Sequence, residues 1–262
     1  MHATAPLGVT CLRWADSISP MKRLPFTLAI LAPFLGFVFA HGAEGRKDVA
    51  PKAKKANPVL AAVADTPGLP RVLLIGDSIS MGYTLGVRAS LAGQANVHRP
   101  PENSGDTARG VSSIDRWLGS GKWDVIHFNF GLHDLKYLDA AGQLAPPDKG
   151  RQVATLAEYE ANLRKIVARL RQTGAKLIYA TTTPVPGGSQ GRVEDDAIRY
   201  NAVAVRVMQE HGVAINDLHA FVKPRQTQLQ RPANVHFTDE GSAQLVETVV
   251  SHLSPLLPMK QQ

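Results

Sequence analysis

Five short apolar runs alternate with longer amphipathic stretches, and this pattern constrains the fold more than any other feature of the chain. The runs lie at 72–75, 96–99, 125–130, 176–181 and 213–216. Each has the length of a strand buried on both faces and is too short for a core helix. Helical periodicity fills the gaps at 82–91, 107–118, 156–171 and 195–210, and again at 238–253. In 156–171, Tyr159, Leu163, Ile166, Val167 and Leu170 share one helical face. Gly174 stops that helix ahead of the next strand. Thr238 is positioned to N-cap the last helix, with Asp239 and Glu240 at its positive end. Strands alternating with helices predict an α/β fold: a three-layer α/β/α arrangement around a five-stranded, mostly parallel, doubly wound sheet of flavodoxin-like type. Ligands of such sheets bind outside the carboxyl ends of the strands. Chemistry is therefore expected in the loops that follow the strands.

This domain is expected to span 71–262. Residues 1–20 read as an extension upstream of a better start at Met21. Residues 21–43 read as a secretory signal. Lys22 and Arg23 precede an apolar run over 24–40, with small residues at Ala40 and Ala43 for cleavage. The run is short and contains Pro25 and Pro33, which argues against a permanent span. The expectation is a secreted or periplasmic protein with no integral membrane segment after cleavage. Residues 44–70, rich in Ala, Lys and Pro, read as a flexible spacer.

The net charge of +7 at first suggests a nucleic-acid partner, but most of the excess lies in the leader and spacer. Residues 71–262 carry 21 basic and 18 acidic residues, with no basic stripe interleaved with aromatics. That excludes a nucleic-acid footprint. The single cysteine, Cys11, lies upstream of either cleavage point. A disulfide framework, a multi-cysteine metal site and thiol catalysis are excluded with it.

The loops after the strands hold a consistent set of groups. After the first comes Gly76-Asp77-Ser78, and after the second Asn103-Ser104-Gly105. After the third comes Gly131-Leu132-His133-Asp134, and near the C-terminus Asn234-Val235-His236. A hydroxyl, an imidazole and hydrogen-bond donors at one sheet edge are what acyl transfer requires. These blocks, in this order and directly after these strands, resemble the SGNH/GDSL-type serine esterases over about 71–250. The resemblance implies Ser78 as nucleophile and His236 as general base. It implies an oxyanion hole of the Ser78 and Gly105 amides and the third-block side chain, here His133. No metal or organic cofactor is implied.

Two positions depart from that family's pattern. His133 stands where the family has an asparagine, and imidazole can still donate one N–H. Ala233 stands where the family has an aspartate, three residues before His236. In serine proteases the analogous Asp→Asn change costs about 10⁴ in kcat. Either a Ser–His dyad is helped by Asn234 or a backbone carbonyl, or an acid comes from elsewhere, with Asp217 the candidate. Ser78 also has a structural reading, as the cap of the following helix. Asp77 and Asp134 are expected to hold loops, His127 to be core, and Trp117 and Trp123 to pack far from the site; Asn129, near the end of the third strand, is the less favoured candidate to line it. Gly187-Gly188-Ser189-Gln190-Gly191 matches a nucleophile-elbow pattern but lacks the strand directly before it. The loops at 136–149 and 184–194 are expected to set substrate choice.

Three other functions fit the chain less well. A metal-dependent phosphoesterase needs more carboxylates and imidazoles than these loops carry. A glycan-binding module on an inactive esterase scaffold rests only on the missing acid. A lipase or thioesterase shares the blocks. Secretion and the lack of a long apolar lid favour short-acyl, O-acetyl-type esters on a small-molecule or glycan substrate.

Overall fold

The computed structural model describes residues 57–258. The extension 1–20, the signal 21–43 and the spacer residues 44–56 lie outside the described residues. In chain order the first elements are β1 (Arg71–Ile75), α1 (Ser78–Ser90), β2 (Asn96–His98), α2 (Thr107–Leu118) and β3 (Val125–Phe128). A small hairpin follows, β4 (Tyr137–Leu138) with β5 (Arg151–Gln152), and then α3 (Leu156–Arg171) and β6 (Lys176–Ala180). The last elements are α4 (Asp196–Glu210), β7 (Ala214–Asn216), α5 (Leu218–Val222), α6 (Gln226–Leu229) and α7 (Asp239–Leu253).

The main sheet has five strands in the order β2-β1-β3-β6-β7, and every neighbouring pair is parallel. This is the doubly wound sheet that the alternation predicts. The helices form two layers, α1 packed with α7 and α2, α3 and α4 packed in series, the arrangement that right-handed crossovers produce. The strands are buried on both faces: Val72 through Ile75 and Val125 through Phe128 are sealed from solvent. His127 sits among them as a core residue, and burial pushes its pKa down to about 3, so it is neutral.

Boundaries differ from the sequence reading where side chains override local pattern. Helix α1 starts at Ser78 rather than 82, because the Asp77 carboxylate accepts from the Ile79 N–H and caps it. Strands β2 and β3 end at His98 and Phe128, leaving Arg99, Asn129 and Phe130 to the site loops. The β4–β5 hairpin and the short helices α5 and α6 carry too few residues for a readable period. The expected spacer is not free over its described part. Asp65 pairs with Arg71 at 3.0 Å and with His98 Nε2 at 2.6 Å, and Asn96 donates to the Thr66 and Leu69 carbonyls. Residues 65–69 thus lie along the β2 edge, where polar side chains replace a missing neighbouring strand, and Arg88 of α1 holds the Pro58 and Ala61 carbonyls. No helix among the described residues is long and apolar enough to cross a membrane.

The loop after β3 is clamped at both ends. The Phe130 carbonyl accepts from the hydroxyls of Tyr159 (2.9 Å), Tyr179 (2.7 Å) and Thr182 (2.9 Å). Gly131 follows with φ +141°, and a Cβ there would stand 2.1 Å from Thr182 Oγ1, so only glycine fits. At the far end the buried Asp134 carboxylate accepts from the N–H and hydroxyl of Thr107, the first residue of α2. Burial raises the Asp134 pKa to about 7, against the pull of these bonds. Asp134 therefore holds a loop, as expected.

Two predictions follow from this packing. A Cβ at Gly241 would stand 2.1 Å from the Leu229 carbonyl oxygen, whereas one at Gly82 would meet Ser242 Oγ at 3.4 Å. Gly241→Ala should cost about 1–3 kcal/mol in denaturant unfolding, and Gly82→Ala should cost nothing or stabilise by up to about 1 kcal/mol. For Asp134, the folded form binds its proton more tightly than the unfolded chain. Its contribution to stability is therefore greatest below the ordinary carboxylate range and declines as pH rises towards 7. Asp134→Asn keeps an acceptor for Thr107 and removes the ionisation. The variant should lose less Tm than the wild type between pH 5 and pH 8 in thermal melts.

Candidate active site

The loops after β1 and β2 are stitched to each other. The Gly76 N–H donates to Ser104 Oγ (3.2 Å) and the Ser104 N–H to the Gly76 carbonyl (3.2 Å). A Cβ on Gly76 would come within 2.9 Å of the Ser80 side chain, which explains the glycine. Arg99, buried at the end of β2, braces the same junction. It donates to Ser80 Oγ, Thr84 Oγ1 and the carbonyls of Gly76 and Glu102. Burial lowers its pKa to about 10, which leaves it charged at neutral pH. The sequence reading missed Arg99; the available signal was a charged residue closing an apolar run at the functional edge. Trp117 also differs from expectation. Its indole N–H donates to Glu102 Oε1 at 2.7 Å, so it supports the second loop as well as packing. Trp123 packs under Arg71 at 4.1 Å, away from these loops.

Because Asp77 supplies the cap of α1, the Ser78 hydroxyl is released from that duty. Ser78 Oγ lies 2.9 Å from His236 Nε2. Ser78 is the first residue of α1, so its backbone N–H has no intrahelical acceptor. His236 sits in a tight loop between α6 and α7, closed by the Arg231 N–H to the His236 carbonyl (2.9 Å). The Thr238 N–H donates to the Leu229 carbonyl (2.9 Å), and the Thr238 side chain caps α7 as expected.

Asn234 is the partner of the imidazole. Its Oδ1 accepts from His236 Nδ1 at 2.8 Å and from the His236 backbone N–H at 2.9 Å. The backbone N–H can only donate, so it holds the amide with oxygen inward. The imidazole then carries its proton on Nδ1 and presents a lone pair at Nε2 to Ser78. Ala233, at the family's acid position, has φ +49°, the one non-glycine residue of positive φ among the described residues. Such backbone costs about 1 kcal/mol for a residue with a Cβ. It brings the Asn234 side chain round to the ring. Burial lowers the His236 pKa, Asp77 opposes this, and Arg192 and Arg231 add to it.

Asp217, expected as the alternative acid, does not reach the imidazole. Its carboxylate caps α5 through the Ala220 N–H (3.0 Å) and accepts from Thr181 Oγ1 (2.8 Å), with no hydrogen bond to His236. The chain runs from β7 through α5 and α6 before it returns to the histidine, so the strand end and the ring are served by different segments. Asn129 is likewise turned inward, donating to the Ala180 carbonyl at 2.7 Å.

The remaining expected residues sit in the second and third loops. Gly105 has φ +67°, and its N–H donates to Asn103 Oδ1 at 2.9 Å. His133 Nδ1 lies 3.3 Å from Lys136 Nζ. An ammonium only donates, so Nδ1 accepts and the His133 proton is on Nε2. Burial holds the His133 pKa below its usual value, keeping this ring neutral. The 187–191 loop is no nucleophile elbow. It has no strand directly before it, and a Cβ on Gly188 would stand 3.3 Å from that of Ala233, so it borders the histidine loop. A cleft of about 740 Å³ runs from Ser78 and His236 between α1 and α7, past Gly82 and Gly86.

Comparison with known proteins places this arrangement. A lipase/acylhydrolase from Enterococcus faecalis superposes with a TM-score of 0.60 at 20% identity, covering 74% of this chain and 100% of that one. An acetylxylan esterase from Geobacillus stearothermophilus, Axe2, gives 0.55 at 19% identity, covering 70% and 94%. The acetyl xylan esterase AlAXEase gives 0.58 at 15% identity, covering 70% and 99%. At these identities the likeness is one of fold. A search of curated proteins found no sequence match. The family model for GDSL-like lipases and acylhydrolases matches residues 74–244, which contain the Ser78 and His236 loops, and the chain belongs to this family of ester-hydrolysing enzymes.

Proposed function

We propose that this protein is a secreted or periplasmic serine esterase that removes short acyl groups, of O-acetyl type, from carbohydrate. The observation that carries the reading is the chain of contacts from Ser78 Oγ through His236 to Asn234, at 2.9 and 2.8 Å. The leader pattern at 21–43 supports export. The acetylxylan esterases among the structural neighbours, and the open cleft beside Ser78, support a short acyl group on a sugar.

The reaction proceeds in two halves. Ser78 Oγ attacks the ester carbonyl carbon as His236 Nε2 takes its proton. The oxyanion is held by the Ser78 N–H, the Gly105 N–H and the His133 Nε2–H. Gly105 joins only as its N–H is shared with, or released by, Asn103. The intermediate collapses, the C–O bond to the alcohol breaks, and His236 returns the proton to the leaving oxygen. Water then attacks the acyl-enzyme as His236 takes its proton, the bond to Ser78 Oγ breaks, His236 returns the proton to Ser78 and the carboxylic acid leaves. Asn234 orients the ring and fixes its tautomer. It is an amide in place of a carboxylate, as in the Cys-His-Asn arrangement of papain-like proteases. Unlike a carboxylate it adds no charge to the imidazolium.

Ser78→Ala should reduce turnover of p-nitrophenyl acetate by about 10⁴-fold or more. A folded Ser78→Ala protein as active as the wild type would sink the reading, and a folded wild type that binds acetylated sugar without turning it over would favour the glycan-binding alternative. Asn234→Ala should lower kcat by about 10²-fold as the ring loses its orientation. Asp217→Ala should instead cost about 1 kcal/mol of stability through its cap, with kcat near wild type. His236 acts as a base only when neutral, and its pKa is depressed. Activity should therefore rise with a midpoint below the ordinary histidine value of about 6.5 and stay level above it. A midpoint above that value in the pH–kcat/KM profile would contradict the assignment.

A further inference from the structure

Lys136 and Arg192 stand beside the site as half-buried cations with only neutral partners. Lys136 Nζ contacts His133 Nδ1 at 3.3 Å. Arg192 Nε donates to the Leu132 carbonyl at 3.3 Å and Nη1 to the Gln190 carbonyl at 3.4 Å. Neither residue takes part in any ion pair among the described residues. Burial disfavours the charge of both, and Arg192 adds to that cost at Lys136. Arg192 also acts on both imidazoles. Asp106, Asp134 and Asp77 act on Lys136 from a distance, and Asp77 on Arg192, but none bonds to either cation: Asp106 caps α2, Asp134 is taken by Thr107 and Asp77 caps α1. On the other flank, the cleft between α1 and α7 carries two acids, Asp239 and Glu247, against one cation, Arg231, so its charge is less favourable to an anion.

We propose that Arg192 and Lys136 form a subsite for an anionic group of the substrate, a carboxylate or a sulfate, held on the third-loop side of the scissile ester. The inference rests on the serine-esterase reading and names its substrate class: an acylated acidic sugar. The Arg192 Nη2 is free to bind such an oxygen, and Lys136 can add a second donor while it keeps His133 in place. A substrate anion next to the reaction centre would oppose the developing oxyanion. Two cations at that place offset the repulsion.

The test compares acetate release from O-acetylated glucuronic acid oligosaccharides, from the same sugars with carboxyls converted to neutral amides, and from O-acetylated, sulfated glucose oligosaccharides. The wild type should favour a charged form about tenfold in kcat/KM, mostly through KM, the size of one charge-assisted hydrogen bond. The preference should shrink as salt rises from about 50 to 500 mM. Preference for the carboxylate or for the sulfate each supports the subsite and names its ligand. Arg192→Gln should bring the charged-to-neutral ratio close to one, and Arg192→Lys should recover part of it. Lys136→Gln supplies a second variant should Arg192→Gln fail to fold, and the salt dependence needs no variant at all. Equal turnover of charged and neutral forms by the wild type, with Ser78→Ala inactive on both, would overturn the subsite alone. Undiminished turnover by Ser78→Ala would overturn the esterase reading beneath it.

Discussion

Parallel pairing of β1 with both β2 and β3 is the constraint on which the site depends. Val72 registers with Val97 on one side and with Val125 on the other. All three strands therefore deliver their following loops to one edge. A parallel sheet cannot return its chain by a short hairpin, so each crossover consumes a helix, and helix N-termini also gather at that edge. Ser78 and Thr107 are the first residues of two of these helices. The polar network is built on that coincidence: Gly76 with Ser104, Arg99 across both loops, and Asp134 with Thr107. These bonds satisfy backbone and side-chain groups that the sheet edge would otherwise leave buried without partners.

The duties that one carboxylate performs in a Ser-His-Asp set are divided here. Orientation of His236 falls to Asn234, whose amide oxygen is held inward by the histidine's own backbone N–H. The electrostatic part falls to Asp77, which favours the protonated ring from a distance while it caps α1. One acid thus serves the helix start and the ring, and its field is opposed by Arg192 and Arg231. Both imidazoles of the site are held neutral at rest, His236 as an acceptor towards Ser78 and His133 as a donor at Nε2.

Much of this was legible in the chain. Apolar runs of strand length cannot be buried on both faces except in a covered parallel sheet, so the five strands and the long helices follow from periodicity. The Gly-Asp-Ser turn and the histidine ahead of the last helix were visible as spaced motifs, as was the departure at Ala233. The roles of Arg99 and Trp117 were not. Arg99 reads as the end of a strand, and its value lies in carbonyls and hydroxyls supplied by segments 3 to 23 residues away. Trp117 reads as an apolar helix residue, and only the fold brings Glu102 to its N–H. The contacts at the described end of the spacer were not legible either, because composition registers flexibility and cannot register Asn96 and His98 at an open sheet edge.

By itself, the sequence determined the class of fold, the family and which loops gather at one sheet edge, because these depend on period, spacing and strand order. The tertiary structure alone decided which group serves His236. Asn234 and Asp217 are both polar residues near the ends of the relevant segments, and no local rule separates them. The choice was made by a left-handed turn at Ala233 and by the Thr181 and Ala220 groups that claim Asp217. Hydrogen bonds act over about 3 Å, and at that scale the competition for a side chain is settled by its neighbours in space.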